Sequence, residues 1–274
     1  METKYIIGRR LVSAGFHVAA GATIPAGPDH IPYAVSVPRR DQQFPWKPRL
    51  AQKDSLLYRL LRYLLAAVLG FYALTALGLL ALRSFNPPFT AVHIERRVQS
   101  WFHKKPYHKR YTFVPLSRIS PDFQHAVIAA EDSRFYQHHG FDWEEVRNAI
   151  EEEQEDGRLR GASTITQQLV KNLFFSTSRS FVRKGIEYTL VPFAERILGK
   201  RRILELYLNV AEWGPGVYGA EAAAQYHYGM SAALVNRDQG ARLAAVLPSP
   251  LRRKPSRMNE YSARIQERMN KMGW

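Results

Sequence analysis

The sequence of 274 residues contains no cysteine, no internal repeat and no sustained alternation of apolar and polar residues. The first absence excludes disulfide bonds, and the second excludes a repeat array. The third argues against a fold built from β-strands. A catalytic domain outside the cytosol can do without disulfides, but a cytosolic domain would lack them as well. The cysteine content therefore does not decide on which side of a membrane the protein acts.

Charge is plentiful and unevenly distributed, with a formal net charge of +15. Such a value first suggests a protein that binds nucleic acid. The excess of positive charge is, however, +6 over residues 1–62, +7 over residues 83–118 and only +2 over residues 119–274. Almost all of the surplus thus flanks residues 63–82, which carry no charge. This distribution favours anionic lipid headgroups as partners over nucleic acid.

Residues 63–82 form an uncharged, largely apolar segment between Arg62 and Arg83. At about 1.5 Å per residue, a helix of this length spans roughly 30 Å of hydrocarbon. The segment predicts a single transmembrane helix, with a buried core helix as the alternative. Its position deep in the chain indicates a retained anchor rather than a signal peptide. The positive charges on its two sides are nearly balanced, and we expect the N-terminus on the cytoplasmic side.

The chain is expected to fall into four parts. Residues 1–62 predict a weakly ordered, basic cytoplasmic tail, for which a misassigned translation start is the rival explanation. Residues 63–82 are the transmembrane helix, and residues 83–118 are a basic juxtamembrane linker whose aromatic side chains suit the headgroup region. Residues 119–274 are expected to form one mainly α-helical domain, because their apolar residues recur with helical spacing.

Helix starts in this domain are predicted by capping residues, which are Ser120 before Pro121, Asp142 with Glu145 three residues on, Ser163 and Ser180. The helix that starts at Ser180 is expected to run to about Gly199, and Pro192 falls inside it. This proline predicts a kink there, because proline lacks the N–H group that would bond to Tyr188. Further helices are expected near residues 201–209, 220–228, 237–246 and 260–271.

An acidic pair, Glu131 and Asp132, ends the first of these helices shortly before Phe135. Desolvation by the apolar helix and the neighbouring acid should raise the pKa of Glu131, which suits a general base. A glutamate that caps a neighbouring helix or pairs with Arg134 is the simpler structural explanation.

Two adjacent histidines, His138 and His139, follow the acidic pair. Adjacent side chains point in different directions, and no further ligand stands at a spacing typical of metal sites. We therefore expect no metal at these residues. A histidine that hydrogen-bonds to the backbone of its own segment is the preferred interpretation.

Residues 163–168 place hydroxyl and amide side chains at a predicted helix N-terminus, where free N–H groups and the helix dipole favour anions. Four cations follow within fourteen residues, namely Lys171, Arg179, Arg183 and Lys184. They could neutralise a phosphate group, although such a run is more often a solvated helix face. Glu187 stands one turn beyond Arg183 and Lys184, where it could simply pair with them.

Four motifs occur in order along the chain. The first is Glu-Asp-x-x-Phe-x-x-His-x-Gly at residues 131–140, and the second is Gly-x-Ser-Thr-Ile-Thr-Gln-Gln at residues 161–168. The third is Arg-Lys-x-x-Glu at residues 183–187, and the fourth is Ile-Leu-Glu-Leu-Tyr-Leu-Asn at residues 203–209. With these motifs the chain resembles the bacterial peptidoglycan glycosyltransferases, in particular their monofunctional members. The resemblance covers roughly residues 101–274 and the anchor helix.

The resemblance implies a lysozyme-like helical domain that polymerises lipid II, a disaccharide-pentapeptide carried on undecaprenyl diphosphate, into β-1,4-linked glycan strands. Undecaprenyl diphosphate is released in the reaction. By motif position, Glu131 would be the general base and Glu187 a second essential carboxylate. The cations on the donor diphosphate would be Lys171, Arg179 and Arg183. The polar wall of the substrate site would include Ser163, Thr164, Gln167 and Gln168, with Asp132, Phe135, His138 and Gly140 supporting the first motif.

The same resemblance implies a single-pass protein of the bacterial inner membrane with a periplasmic catalytic domain. Its partners would be lipid II, the growing glycan strand, membrane lipids and cell-wall synthesis proteins, including transpeptidases. The chain has no Ser-x-x-Lys and no Lys-Thr-Gly motif, so another protein would perform the cross-linking. No cofactor is required by the sequence. A divalent cation such as Mg²⁺ could assist at the diphosphate, although no dedicated carboxylate cage is evident.

The residue types independently favour transfer over hydrolysis. A sugar hydroxyl that attacks needs one base, and a departing diphosphate needs positive charge more than a proton donor. A hydrolase that cleaves a glycosidic bond needs a strong acid instead. The main alternative is therefore a lysozyme-like lytic enzyme that cleaves peptidoglycan. A second alternative is a non-enzymatic scaffold that uses its basic flanks on a membrane or on nucleic acid.

Overall fold

A computed structural model describes residues 55–102, 106–156, 163–178 and 180–274, with the side chains of residues 152–156 excepted. Most of the predicted tail lies outside these residues. So do Gly161 of the second motif and Arg179 of the predicted diphosphate site.

The described part of the chain is mainly helical, as predicted. Its α-helices are α1 Leu56–Ser84, α2 Ala91–Phe102, α3 Pro121–Glu131, α4 Trp143–Asp156, α5 Ile165–Phe174, α6 Phe181–Val210, α7 Ala220–Tyr228, α8 Arg237–Ala244 and α9 Asn259–Lys271. Three short 3₁₀ turns lie at Leu116–Arg118, Ala232–Leu234 and Pro255–Arg257. A small sheet contains β1 Arg110–Tyr111, β2 Glu212–Gly214 and β3 Val217–Tyr218, with β3 in the centre, parallel to β1 and antiparallel to β2.

Helix α1 contains the predicted transmembrane segment and extends beyond it at both ends. It is long and apolar enough to cross a membrane, with a mean hydropathy of 2.2 over its most apolar window. One side of its C-terminal half packs on the domain. There the Tyr72 hydroxyl lies 2.7 Å from the Thr189 hydroxyl of α6, and Leu79 is fully buried. Most other apolar side chains of α1 face outward.

Helix α2 lies within the segment that the sequence predicts as a juxtamembrane linker. The aromatic residues of that segment divide into two groups. Phe85 and Phe89 are exposed before α2, and Trp101 and Phe102 are exposed at its end. Tyr107 and Tyr111 turn inward, where their hydroxyls donate to the Tyr218 hydroxyl and to the Pro87 carbonyl. Only the first group can reach a headgroup region.

Three of the four predicted caps are confirmed. The side chains of Ser120 and Ser180 accept backbone N–H groups at the starts of α3 and α6, and Asp142 does so before α4. The prediction for α5 was wrong by one residue. Thr164 is the cap rather than Ser163, because Thr164 and Gln167 form a reciprocal capping box.

Helix α6 confirms the predicted end of the fourth helix near Gly199, but the predicted kink at Pro192 was wrong. Its one residue with non-helical dihedral angles is Gly199, with φ 72° and ψ 160°, whereas Pro192 stays within helical geometry. A glycine reaches such angles without the steric penalty that a side chain would bring. The break divides α6 into the segment that carries the third motif and the segment that carries the fourth.

The core of the domain positions two functional elements. The buried face of α3, which includes Phe123 and Val127, packs against α8 and α9, and the Phe123 ring meets the buried Trp213 ring edge-on at 5.1 Å. Helix α5 packs along α6 through Leu169 and Val170. Packing of this density fixes the C-terminal end of α3 and the polar side of α5 relative to each other.

Candidate active site

A cavity of about 370 Å³ opens between the end of α3, the start of α5 and the C-terminal part of the domain. Its lining residues include Glu131, Asp132, Ser163, Thr164, Gln168 and Lys171, together with Asp142, Glu145, Tyr261 and Arg268. The predicted base and one predicted diphosphate-binding cation therefore share one cleft. The volume falls in the range of small-molecule binding sites.

Glu131 is oriented by a short chain of hydrogen bonds. The Gln168 amide donates from Nε2 to Glu131 Oε2 over 2.7 Å, and the Tyr207 hydroxyl donates to Gln168 Oε1 over 2.9 Å. Tyr207 thereby fixes which end of the amide faces the carboxylate. Burial raises the pKa of Glu131, while the bond from Gln168 and the positive charge of Lys171 oppose the rise.

Both carboxylate oxygens of Asp132 already accept hydrogen bonds from the protein, which fits a structural role. Its Oδ1 accepts from His138 Nε2 over 2.8 Å, and its Oδ2 accepts from the Ile165 N–H over 3.0 Å. The Gly140 N–H donates to His138 Nδ1, so the proton of the neutral ring sits on Nε2. This confirms a histidine bonded to its own backbone segment. Asp132 ties the first motif to the start of α5.

Gly140 occupies a position that only glycine fits. Its φ is +96°, and a Cβ atom would lie 2.4 Å from Val191 Cγ1. The Gly140 carbonyl also accepts from the Thr164 hydroxyl over 2.7 Å, so this turn is part of the junction between α3 and α5.

Replacing Gly140 by alanine is therefore expected to lower the free energy of unfolding by about 2–5 kcal/mol, from backbone strain and overpacking together. Gly185→Ala is the matched control, because no atom lies within 4 Å of its added Cβ and its site is helical. That control should stabilise by about 0.5–1 kcal/mol. Denaturant unfolding in detergent measures both, and equal stabilities would contradict the assignment.

The predicted polar wall of the substrate site is only partly on the cavity surface. Ser163, Thr164 and Gln168 line the cavity. Gln167 is buried, and its side-chain oxygen accepts a hydrogen bond from the Thr164 N–H. It therefore belongs to the cap of α5. Phe135 is likewise fully buried in the core, which agrees with a supporting role.

Lys171 lines the cleft. Among the residues that the structure describes, none forms a hydrogen bond or ion pair with its ammonium group. Burial lowers the pKa of Lys171, and the nearby charges of Glu187 and Glu131 act against that effect. A desolvated ammonium group without a counter-ion is suited to bind an anionic ligand.

Arg183, Lys184 and Glu187 form a cluster outside the lining of this cavity. Both oxygens of the buried Glu187 carboxylate are paired, one with Arg183 Nη1 and the other with Lys184 Nζ, each at 2.6 Å. This geometry matches the pairing that the sequence left open as the simpler alternative. It makes Glu187 a residue that positions two cations.

Within the described ranges, the structure brings together one set of possible metal ligands. Asp132, His138 and Asp142 each offer an atom within 4.8 Å of the others. All three side chains already form hydrogen bonds within the protein. Asp142 Oδ1 accepts from the Glu145 N–H, and Asp132 and His138 bond to each other. Their contacts fit a structural role better than a metal site.

Several residues of the site were not predicted. Tyr207 stands in the fourth motif, but its bond to Gln168 spans 39 positions of the sequence. Tyr261 and Arg268 of α9 line the cavity without any recognisable motif. Arg253, whose positive charge acts on Glu131, lies in a loop that carried no signal either.

Comparisons with known proteins agree with this geometry. A family model described as Transglycosylase matches residues 96–273. A biosynthetic peptidoglycan transglycosylase of Pseudomonas entomophila (strain L48) is 44% identical over 222 residues, which cover 80% of this chain and 94% of the relative. Its counterparts in Pseudomonas fluorescens (strain SBW25) and Pseudomonas syringae pv. syringae (strain B728a) are 43% and 41% identical, covering 80% of this chain and 92% and 94% of the relatives. The chain therefore belongs to the transglycosylase family.

Proposed function

We propose that this protein is a membrane-anchored peptidoglycan glycosyltransferase that polymerises lipid II into β-1,4-linked glycan strands and releases undecaprenyl diphosphate. The observation that carries the proposal is the shared cleft, in which the raised-pKa carboxyl of Glu131 and the unpartnered ammonium of Lys171 face one space. The named activity of the relatives supports the same reaction class.

In the proposed reaction, Glu131 accepts the proton of the acceptor sugar's 4-hydroxyl as that oxygen attacks the anomeric carbon of the donor. A new C–O bond forms while the bond from the anomeric carbon to the diphosphate oxygen breaks. The diphosphate leaves with the electron pair, and the configuration at the donor carbon inverts. Lys171 stabilises the charge that develops on this leaving group.

A lysozyme-like lytic reaction is the rival, and one observation favours it. Glu145 lines the same cavity as Glu131 and could supply a second carboxyl group. Lysis would use no cation at a leaving group, however, so the placement of Lys171 favours transfer from a diphosphate.

The deciding experiment incubates the full-length protein in detergent with labelled lipid II and, separately, with purified sacculi. We expect polymer from lipid II, resolved by gel electrophoresis, and no release of soluble fragments from sacculi. Fragments from sacculi without polymer from lipid II would establish the lytic rival. Activity in neither assay, together with binding to vesicles, would favour the scaffold.

The pH dependence of polymerisation should be bell-shaped. The base must be ionised, so the rate rises with pH through a pKa of Glu131 that lies above the ordinary glutamate value. The rate falls again as Lys171 loses its proton, at a pH below the ordinary lysine value. Gln168→Leu removes a bond that holds the Glu131 pKa down, so its acidic limb should move to higher pH. Profiles of kcat/KM for both proteins test this, and superimposable acidic limbs would refute it.

For the location, we propose the bacterial inner membrane, with α1 as the anchor and the domain on the periplasmic side. The outward apolar surface of α1 supports this. Helix α2 adds an exposed stripe of Ile94, Val98, Trp101 and Phe102 at helical spacing, suited to the headgroup boundary.

Cell-wall synthesis proteins, including transpeptidases, are the proposed partners. We propose no cofactor requirement, with Mg²⁺ at most assisting at the substrate diphosphate.

A further inference from the structure

The connection between α5 and α6 separates the two groups of cations in this domain. Lys171 lies in the last turn of α5, and Arg183 lies in the first turn of α6. Residues 175–180 join the two helices. Residues 175–178 and 180, the described part of this loop, lie between Lys171 and the cations of α6 along the chain.

A carboxylate outside the loop accepts two hydrogen bonds from Thr177, near the centre of the loop. Glu95 of α2 accepts from the Thr177 N–H through Oε2 over 2.6 Å and from the Thr177 hydroxyl through Oε1 over 2.7 Å. Two short bonds from one charged acceptor to one residue fix both its position and its orientation.

The backbone next to Thr177 connects this contact to the cations of α6. The Ser178 carbonyl, next to Thr177, accepts from Arg183 Nε over 2.9 Å. Arg183 in turn pairs with the buried Glu187, which also holds Lys184. A displacement of Thr177 would therefore move the neighbouring Ser178 carbonyl, to which the Arg183 guanidinium is bonded.

Glu95 can act as a fixed support because α2 is itself fastened to the domain. The Arg96 guanidinium forms a paired contact with the largely buried Glu212 of β2, through Nε and through Nη2 at 2.9 Å. The His93 ring is buried against the Tyr218 ring, with centroids 4.1 Å apart. Gln99 donates to Glu95 Oε1 over 2.9 Å and restricts its rotamers.

We propose that Glu95 is a positioning residue that holds residues 175–178 so that Arg183 and Lys184 of α6 can bind the diphosphate of the lipid-linked donor. The proposal rests on the function proposed above, and it assigns part of the substrate site to the juxtamembrane helix. Glu95 lies one position before the segment that the family model matches.

The test compares Glu95→Ala, Thr177→Val and the double variant in the full chain. The probe is undecaprenyl diphosphate in detergent micelles, and the KM and kcat for lipid II are measured alongside. Losing two bonds to a charged acceptor should weaken diphosphate binding about tenfold in Glu95→Ala. KM should rise by a similar factor while kcat and the melting temperature change little. Glu95→Gln, which keeps one acceptor oxygen for the Thr177 N–H, should restore part of the affinity.

Glu151→Ala is the control, because Glu151 is exposed on α4 and has no partner in the part of the chain that the structure describes. The double variant should bind no more weakly than Glu95→Ala, since both changes remove the same contact. Unchanged binding in Glu95→Ala, an equal loss in Glu151→Ala, or losses that multiply in the double variant would each overturn the proposal. Failure of the protein itself to bind the probe would overturn it too. Binding without polymer formation would instead count against the proposed function alone.

Discussion

Replacing Glu131 by glutamine is expected to lower the rate of lipid II polymerisation by about 10²- to 10⁴-fold, the usual contribution of a general base. Glutamine has nearly the same shape and can still contact Gln168, but it cannot accept a proton from the attacking hydroxyl. The loss should appear in kcat, because the carboxylate acts on the acceptor's proton and not on the diphosphate. Initial rates of polymer formation at saturating lipid II measure it.

Two measurements keep this result interpretable. Unfolding in detergent should show that Glu131→Gln is at least as stable as the parent, since the change relieves the burial of a carboxylate. Glu151→Gln, on the exposed surface of α4, should polymerise normally. Turnover within a few-fold of the parent protein in a well-folded Glu131→Gln variant would show that another group takes the proton.

Replacing Lys171 by methionine should lower kcat/KM for lipid II by about 10²- to 10³-fold, comparable to removing one group that stabilises a developing anion. Methionine retains most of the length and apolar stem of lysine but no charge. Among the described residues, Lys171 is the lysine in the lining of the cavity that contains Glu131. The leaving diphosphate would then have to depart with less charge compensation.

Lys271→Met provides the comparison, because this exposed lysine pairs with Glu267 of the same helix. Its loss should be nearly neutral. Lys171→Arg should retain more activity than Lys171→Met, since it restores the charge at a somewhat different distance. If Lys171→Met and Lys271→Met had equal kcat/KM, the assignment of Lys171 to the leaving group would be wrong.

Most helical elements follow from local rules, and the sequence predicts them, except for α2 in the segment assigned to a linker. Ser120 before Pro121 starts α3 because a hydroxyl cap and an N-terminal proline satisfy the same few backbone groups wherever they occur. The cap of α5 was misplaced by one residue although a signal was present. Thr164 has a glutamine three positions later, and Ser163 has not.

The contacts within the site depend on tertiary packing, and local patterns do not contain it. The motifs identified Glu131, but not that Gln168 and Tyr207 orient it, because these three residues come together only when α3, α5 and α6 pack. The role of Glu187 shows the same limit. Its spacing from Arg183 allowed either a catalytic carboxylate or an ion pair, and only the geometry shows that both oxygens are paired.

The break in α6 shows how two local rules compete. Proline in a helix removes one backbone bond, and a kink at Pro192 was a reasonable expectation. Pro192 nevertheless keeps helical angles, and the chain departs from them seven residues later at Gly199. A positive φ at glycine carries little strain, so the departure from helical geometry occurs there.

The packing of α1 on α6 has a consequence for how the enzyme could be handled in the laboratory. Tyr72, Gly78 and Leu79 cover part of the domain's surface, near Thr189 and Phe174. A shortened protein that begins after Ser84 would leave this apolar strip facing water. Self-association of such a truncated form, or dependence on detergent despite the missing anchor, would then reflect a lost intramolecular interface rather than misfolding of the catalytic domain.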